Sequence, residues 1–94
     1  MAIIVFTEIP GGNAEKDQQM MQAVGVAPGK LPAGASLRAA GPIDGGWRVI
    51  SIWDSEDSWN KFRRETLEPA WKQMGVQPQA KVSQLNSVMM APQQ

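Results

Sequence analysis

The sequence predicts an α+β domain whose elements run strand, helix, strand, strand, helix, strand, and three observations carry that reading. Residues 2–9 and 47–54 are short runs of β-branched and aromatic side chains with the composition of strands. Two polar segments open on Asn13 and on Ser55, each followed by acidic residues, which is how helices begin. Clusters of glycine and proline separate these segments and interrupt any regular element. Ninety-four residues support one hydrophobic core. A single domain is therefore expected over residues 1–90, with 91–94 as a frayed tail.

Taken in order, residues 2–9 are apolar on both faces as far as Phe6 and stop at Pro10-Gly11-Gly12, as a central strand buried on two sides would. Asn13 then caps a helix reaching about Val24, with Glu15 and Asp17 near its positive end, Met20, Met21 and Val24 as its apolar residues, and Gly25 as its stop. Residues 25–34 hold three glycines and two prolines, so they read as a long loop, either a binding rim or a plain surface excursion. A second strand is expected over 35–40 and a turn over 41–46. The third strand, 47–54, alternates: Trp47, Val49, Ser51 and Trp53 share one face, and Arg48, Ile50, Ile52 and Asp54 the other.

Asp54-Ser55 caps the next helix, in which Trp59 and Phe62 share a face while Lys61, Arg63, Arg64 and Glu65 take the solvent side. Pro69 removes a hydrogen bond from any helix containing it, so a break is expected near 66–68, then a short helix with Trp71 and Met74 that stops at Gly75. A last strand is expected over 80–90. Its alternation is imperfect, because Gln84 and Asn86 are in phase with Val82 and Val88, so a bulge or a polar face is expected there.

Composition excludes several functions. Nine Lys and Arg balance nine Asp and Glu, so the chain lacks the positive excess that nucleic acid demands. No Cys, His or Tyr is present, which removes disulfides, thiolate nucleophiles, imidazole chemistry, the usual zinc ligands and a histidine-ligated haem. The opening apolar run follows no basic segment and is too short for a signal core or a membrane span, so a cytoplasmic protein without membrane contact is expected.

The predicted order is the ferredoxin-like βαββαβ arrangement, a four-stranded antiparallel sheet with both helices on one face. The first and third strands are apolar on both faces, so the second face needs cover of its own. A second copy about a twofold axis supplies it, and a homodimer through the sheet face is expected.

Residues Gly45-Gly46-Trp47-Arg48-Val49-Ile50-Ser51-Ile52-Trp53-Asp54-Ser55-Glu56-Asp57-Ser58-Trp59, continuing through Phe62 to Leu67-Glu68-Pro69-Ala70, resemble the dimeric α+β barrel superfamily. That superfamily includes antibiotic-biosynthesis monooxygenase domains, small actinobacterial proteins and haem-degrading monooxygenases. A strand ending in Trp, an acidic residue and Ser opening a helix, and an aromatic residue one turn on are capping and packing features, so the resemblance implies a fold more than a chemistry. The haem-degrading branch uses a proximal His, a Trp in the capped helix and an Asn on the first strand. Aligned on Trp53, this chain has Phe62 for that Trp, Lys72 beside Trp71 near the His, and Phe6, Thr7 and Glu8 on the strand. A lysine must lose its proton to ligate iron, so haem degradation is not expected, and no cofactor or metal is.

The resemblance to the cofactor-free quinone-forming oxygenases implies a dry pocket that binds an electron-rich aromatic substrate. Trp59, Phe62, Trp71, Met20, Met21 and Met74 are its candidate apolar lining, and Arg38, Ser51, Asn60 and Asn86 its candidate polar groups. The same aromatics and methionines also serve as plain core. Arg38 and Arg48, on adjacent strands, are placed to hold a carboxylate or phenolate together, or else to pair with Glu8 or Asp54. Asp54 and Asp57 are capping residues, and no catalytic residue is assigned. The expected function is binding of a small aromatic or polyketide-like molecule, with cofactor-independent oxidation as the implied chemistry. The alternatives are a non-catalytic small-ligand or stress-response binding module, and a fully packed protein acting through its surface.

Overall fold

A computed structural model describes residues 2–26, 29–87 and 89. Strand β1 (Ile3–Pro10) leads to helix α1 (Ala14–Ala23), then to strands β2 (Ala35–Ile43) and β3 (Gly46–Trp53). A continuous helical stretch follows, made of α2 (Glu56–Phe62), a π-helical turn (Arg63–Leu67) and α3 (Glu68–Met74), and strand β4 (Gln79–Gln84) completes the order. The strands form one antiparallel sheet ordered β2-β3-β1-β4, so the two most apolar strands are central, and the ferredoxin-like topology is as the sequence predicts. Among the described residues no helix is long and apolar enough to cross a membrane.

Register sorts the side chains. Ile3 opposite Trp53, Val5 opposite Ser51 and Thr7 opposite Val49 form a row facing the helices, whose Met20, Trp59, Leu67 and Ala70 pack with Ile3, Val5 and Trp53 into one core. Ile4 opposite Ile52 and Phe6 opposite Ile50 face the other way, where no helix lies, and Phe6 is 38% exposed. The caps are as predicted: Asn13 Oδ1 accepts from the Lys16 amide at 2.8 Å and Ser55 Oγ from the Ser58 amide at 3.1 Å.

Two boundaries differ from expectation. β2 runs through Pro42 to Ile43, leaving Asp44-Gly45 as a two-residue hairpin turn with Gly45 at φ 77°. Proline is tolerated because β2 is an edge strand that needs no hydrogen bond on its outer side. β4 ends at Gln84, which pairs with Ile3, the first residue of β1, and the Leu85 amide still donates to Ala2 at 3.0 Å. The outer part of the expected 80–90 strand, at Val88 and Met90, and the tail 91–94 lie outside the described residues.

The expected helix break is absent. The Glu68 amide bonds to the Arg63 carbonyl five residues back, and this widened turn absorbs one extra residue just before Pro69. Trp59, Phe62, Leu67 and Trp71 all face the sheet, although the step from Phe62 to Leu67 is one residue longer than a regular turn allows. One residue is worth roughly 100° of rotation. Deleting Glu65 together with Pro69→Ala is therefore expected to give a regular helix with its core face intact, keeping the melting temperature within about 5 °C. Inserting an alanine after Glu65 rotates Leu67, Ala70 and Trp71 off the core and is expected to cost about 3 kcal/mol or more in urea unfolding.

Candidate functional site

The helices stand off the sheet along a cleft. Its floor is Thr7 and Ile9 from β1, Val49, Ser51 and Trp53 from β3, and Ala35 and Arg38 from β2. Met20 and Met21 of α1 and Trp59, Phe62, Leu67 and Trp71 of the long helical stretch roof it, and Pro32 stands at its rim. The walls bound about 500 Å³ of space including the mouth, of which about 40 Å³ is open to the centre of a water molecule. A space of that kind holds a few waters at most. It is a narrow slot, lined rather than filled by Trp59, Phe62 and Trp71, and a ligand of several rings needs those side chains to shift.

Aromatic packing props the slot open. The Trp53 ring lies 5.5 Å from Trp59 and 5.4 Å from Phe62, tilted at 58° and 38°, an arrangement aromatic pairs prefer over flat stacking. Trp53 Nε1 donates to Ser51 Oγ at 2.9 Å, and Trp71 Nε1 donates to Met20 Sδ at 3.1 Å, tying the two helices together over the cleft. At the rim, Gly34 has φ 90°, accepts the Asp54 amide at 2.8 Å and lies so close to Ser58 that a Cβ would come within 2.7 Å of that side chain. Only glycine fits there, and it fixes the end of the loop that carries Pro32.

Polar groups on the floor are few. Thr7 and Ser51 are the buried polar residues among those described, at 6% and 7% exposure, and Arg38 is the one ionisable residue among those described that line the cleft. Arg38 Nη2 donates to Asp17 Oδ1 of α1, with side chains 20% and 12% exposed. Arg48 instead pairs with Glu8 at 2.9 Å on the opposite face of the sheet, the alternative pairing the sequence allowed. The two arginines are not neighbours and do not hold one anion together; of the two readings the sequence allowed, pairing is what the structure shows, with Arg48 on Glu8 as expected and Arg38 on Asp17 rather than on Glu8 or Asp54. The two-residue turn at Asp44-Gly45 sets the register of β2 on β3, so Gly41 falls opposite Arg48 and Arg38 opposite Ser51, while a β-bulge between Ala35 and Leu37 shifts only Ala35, which pairs with Trp53.

Of the residues singled out from sequence, Arg38, Ser51, Trp59, Phe62 and Trp71 meet at the cleft, with Met20 and Met21. Met74 lies in a separate small depression with Asn13, Lys16 and Trp47, where the Trp47 indole N–H is buried without a protein acceptor among the described residues. Asn60 turns along the helix, its Oδ1 accepting from Arg63 Nη2 at 3.2 Å, and Asn86 is exposed beyond the end of β4. Thr7, Leu67, Pro32 and Asp17 were not singled out. Thr7 carried a signal, as the one hydroxyl in the helix-facing row Ile3, Val5, Thr7, Ile9; Leu67 depends on the π turn and carried none.

No family model matches the sequence, and no curated protein is detectably similar to it. Similarity appears among solved structures. A variant of SnoaB, a cofactor-independent oxygenase from Streptomyces nogalater, superposes with a TM-score of 0.64 at 7% identity, covering 94% of this chain and 96% of that one. A protein described as an antibiotic biosynthesis monooxygenase, from Deinococcus radiodurans, gives 0.58 at 14% identity over 99% and 100% of the two chains. The de novo designed protein Foldit4 gives 0.59 at 10% identity over 92% and 100%. The fold of this chain is thus the ferredoxin-like α+β fold of the antibiotic biosynthesis monooxygenase-like proteins.

Proposed function

We propose that the protein binds a small aromatic molecule in the cleft between helices and sheet. The observation that carries this reading is the slot itself, roofed by Trp59, Phe62 and Trp71 and floored by Thr7, Ser51 and Arg38. Apolar walls with a few convergent polar groups are the usual composition of small-molecule sites. Flat walls of indole and phenyl favour a flat ligand.

The functional unit we propose is a homodimer paired through the open face of the sheet. Ile4, Phe6, Ile50 and Ile52 form its apolar centre, with Leu37 and Ala39 of β2 beside them by register and the Glu8–Arg48 pair at one end. A patch of this kind left in water is costly, and a twofold copy covers it with the same residues.

The chemistry we assign is cofactor-independent oxidation, supported by the shared fold with SnoaB and by a water-poor, aromatic-lined slot. A second reading, a non-catalytic binding module, is favoured by one observation: among the described lining residues there is no carboxylate, imidazole or phenol to take a proton from a substrate.

Titration with anthrone, followed by tryptophan fluorescence and by an oxygen electrode, separates these readings. Quenching with oxygen consumption is expected for the oxygenase, and quenching with flat oxygen traces leaves the binding module. The site reading predicts that Phe62→Ala weakens quenching about tenfold, while the exposed Gln73→Ala leaves it unchanged. Phe62 suits this test better than Trp59, which is 3% exposed and whose truncation is expected to cost about 3–5 kcal/mol of stability. Absence of quenching by anthrone would count against the site.

A further inference from the structure

We infer that the cleft selects aromatic molecules carrying an anionic oxygen, and that Arg38 is the residue that selects them. The inference rests on the binding site proposed above and narrows its ligand class. It begins with the two-residue turn at Asp44-Gly45, which sets the register of β2 on β3. Counted from that turn, Ile43 faces Gly46, Gly41 faces Arg48 and Arg38 faces Ser51, so the guanidinium lies on the helix-facing side at the floor of an apolar slot, away from Arg48 on the open face.

Once there, the guanidinium is under-used. It carries five N–H donors, and among the described residues its one protein hydrogen bond is from Nη2 to Asp17. Asp17 lies outside the cleft lining, so the pair anchors Arg38 to α1 without occupying the slot. Ser51 stands directly opposite Arg38 on β3, and its Oγ already accepts from Trp53 Nε1, which leaves the hydroxyl hydrogen free to donate. Thr7 adds a second hydroxyl from β1. The floor therefore presents a cation anchored by Asp17 and hydrogen-bond donors, and Asp17, outside the lining, is the one described carboxylate paired with that cation. In a slot with little water, charge-assisted bonds from such donors to a carboxylate or phenolate are the strong ones available. An anion also suits a site without a base, because no proton has to be removed after it binds.

Naphthoate and methyl naphthoate differ at the group in question and keep the same rings. In the unmodified protein, naphthoate is expected to quench tryptophan fluorescence with a Kd about tenfold or more below that of the ester. Arg38→Gln should erase the preference while leaving ester binding nearly unchanged, and Arg38→Lys should retain part of it. Asp17→Asn, which removes the competing carboxylate, should tighten naphthoate binding severalfold, and it carries the test if Arg38→Gln does not fold by circular dichroism. The ester binding as tightly as the acid, a preference that survives Arg38→Gln, or no gain in Asp17→Asn would overturn this inference while leaving the binding site standing. Failure of both probes to bind would overturn the site and the inference together.

Discussion

A sheet whose two central strands carry apolar side chains on both faces, served by helices that reach only one, is the constraint from which the rest of this molecule follows. On the covered face, Ile3, Val5 and Trp53 meet Met20, Trp59, Leu67 and Ala70 and make the core. On the other, Ile4, Phe6, Ile50 and Ile52 stand without a helix over them. The covered face is itself not sealed, because Trp53, Trp59 and Phe62 meet at tilted angles and leave a slot beside them. One face thus supplies the cleft and the other the surface we propose for a twin.

Two local features decide what the cleft contains. The two-residue turn at Asp44-Gly45 sets β2 on β3 so that Arg38 lies on the floor, and the π turn keeps Leu67 and Trp71 in phase with Trp59 and Phe62 on the roof. One residue more or less in either shifts every side chain beyond it, which in a strand reverses the face and in a helix turns it by roughly 100°. The π turn lies at the cleft, where such turns tend to occur.

This explains which parts were legible in the sequence. Element order, both caps and the stops at Gly25 and Gly75 follow from local chemistry, and the structure keeps them. The aromatic half of the cleft was legible because Trp59 and Phe62 lie before the π turn. Features set by a partner strand were not. Pro42 belongs to β2 because an edge position excuses its missing N–H, and β4 stops because β1 begins at Ile3. Arg38 and Arg48 read as neighbours until the register of the β2–β3 hairpin is known, and the side chains of Asn60 and Asn86 answer to local partners or to solvent. A de novo designed protein superposes on the same fold, so the fold alone assigns no function, and the functional reading rests on Arg38, Ser51 and the indoles.

Whether the open sheet face is paired in solution tests the account at its root. Sedimentation velocity at micromolar concentration is expected to show a particle of about 20 kDa, twice the 10.2 kDa chain, and Phe6→Glu should convert it to the single chain with its helical content retained. A lone particle of about 10 kDa for the unmodified protein at that concentration would contradict it.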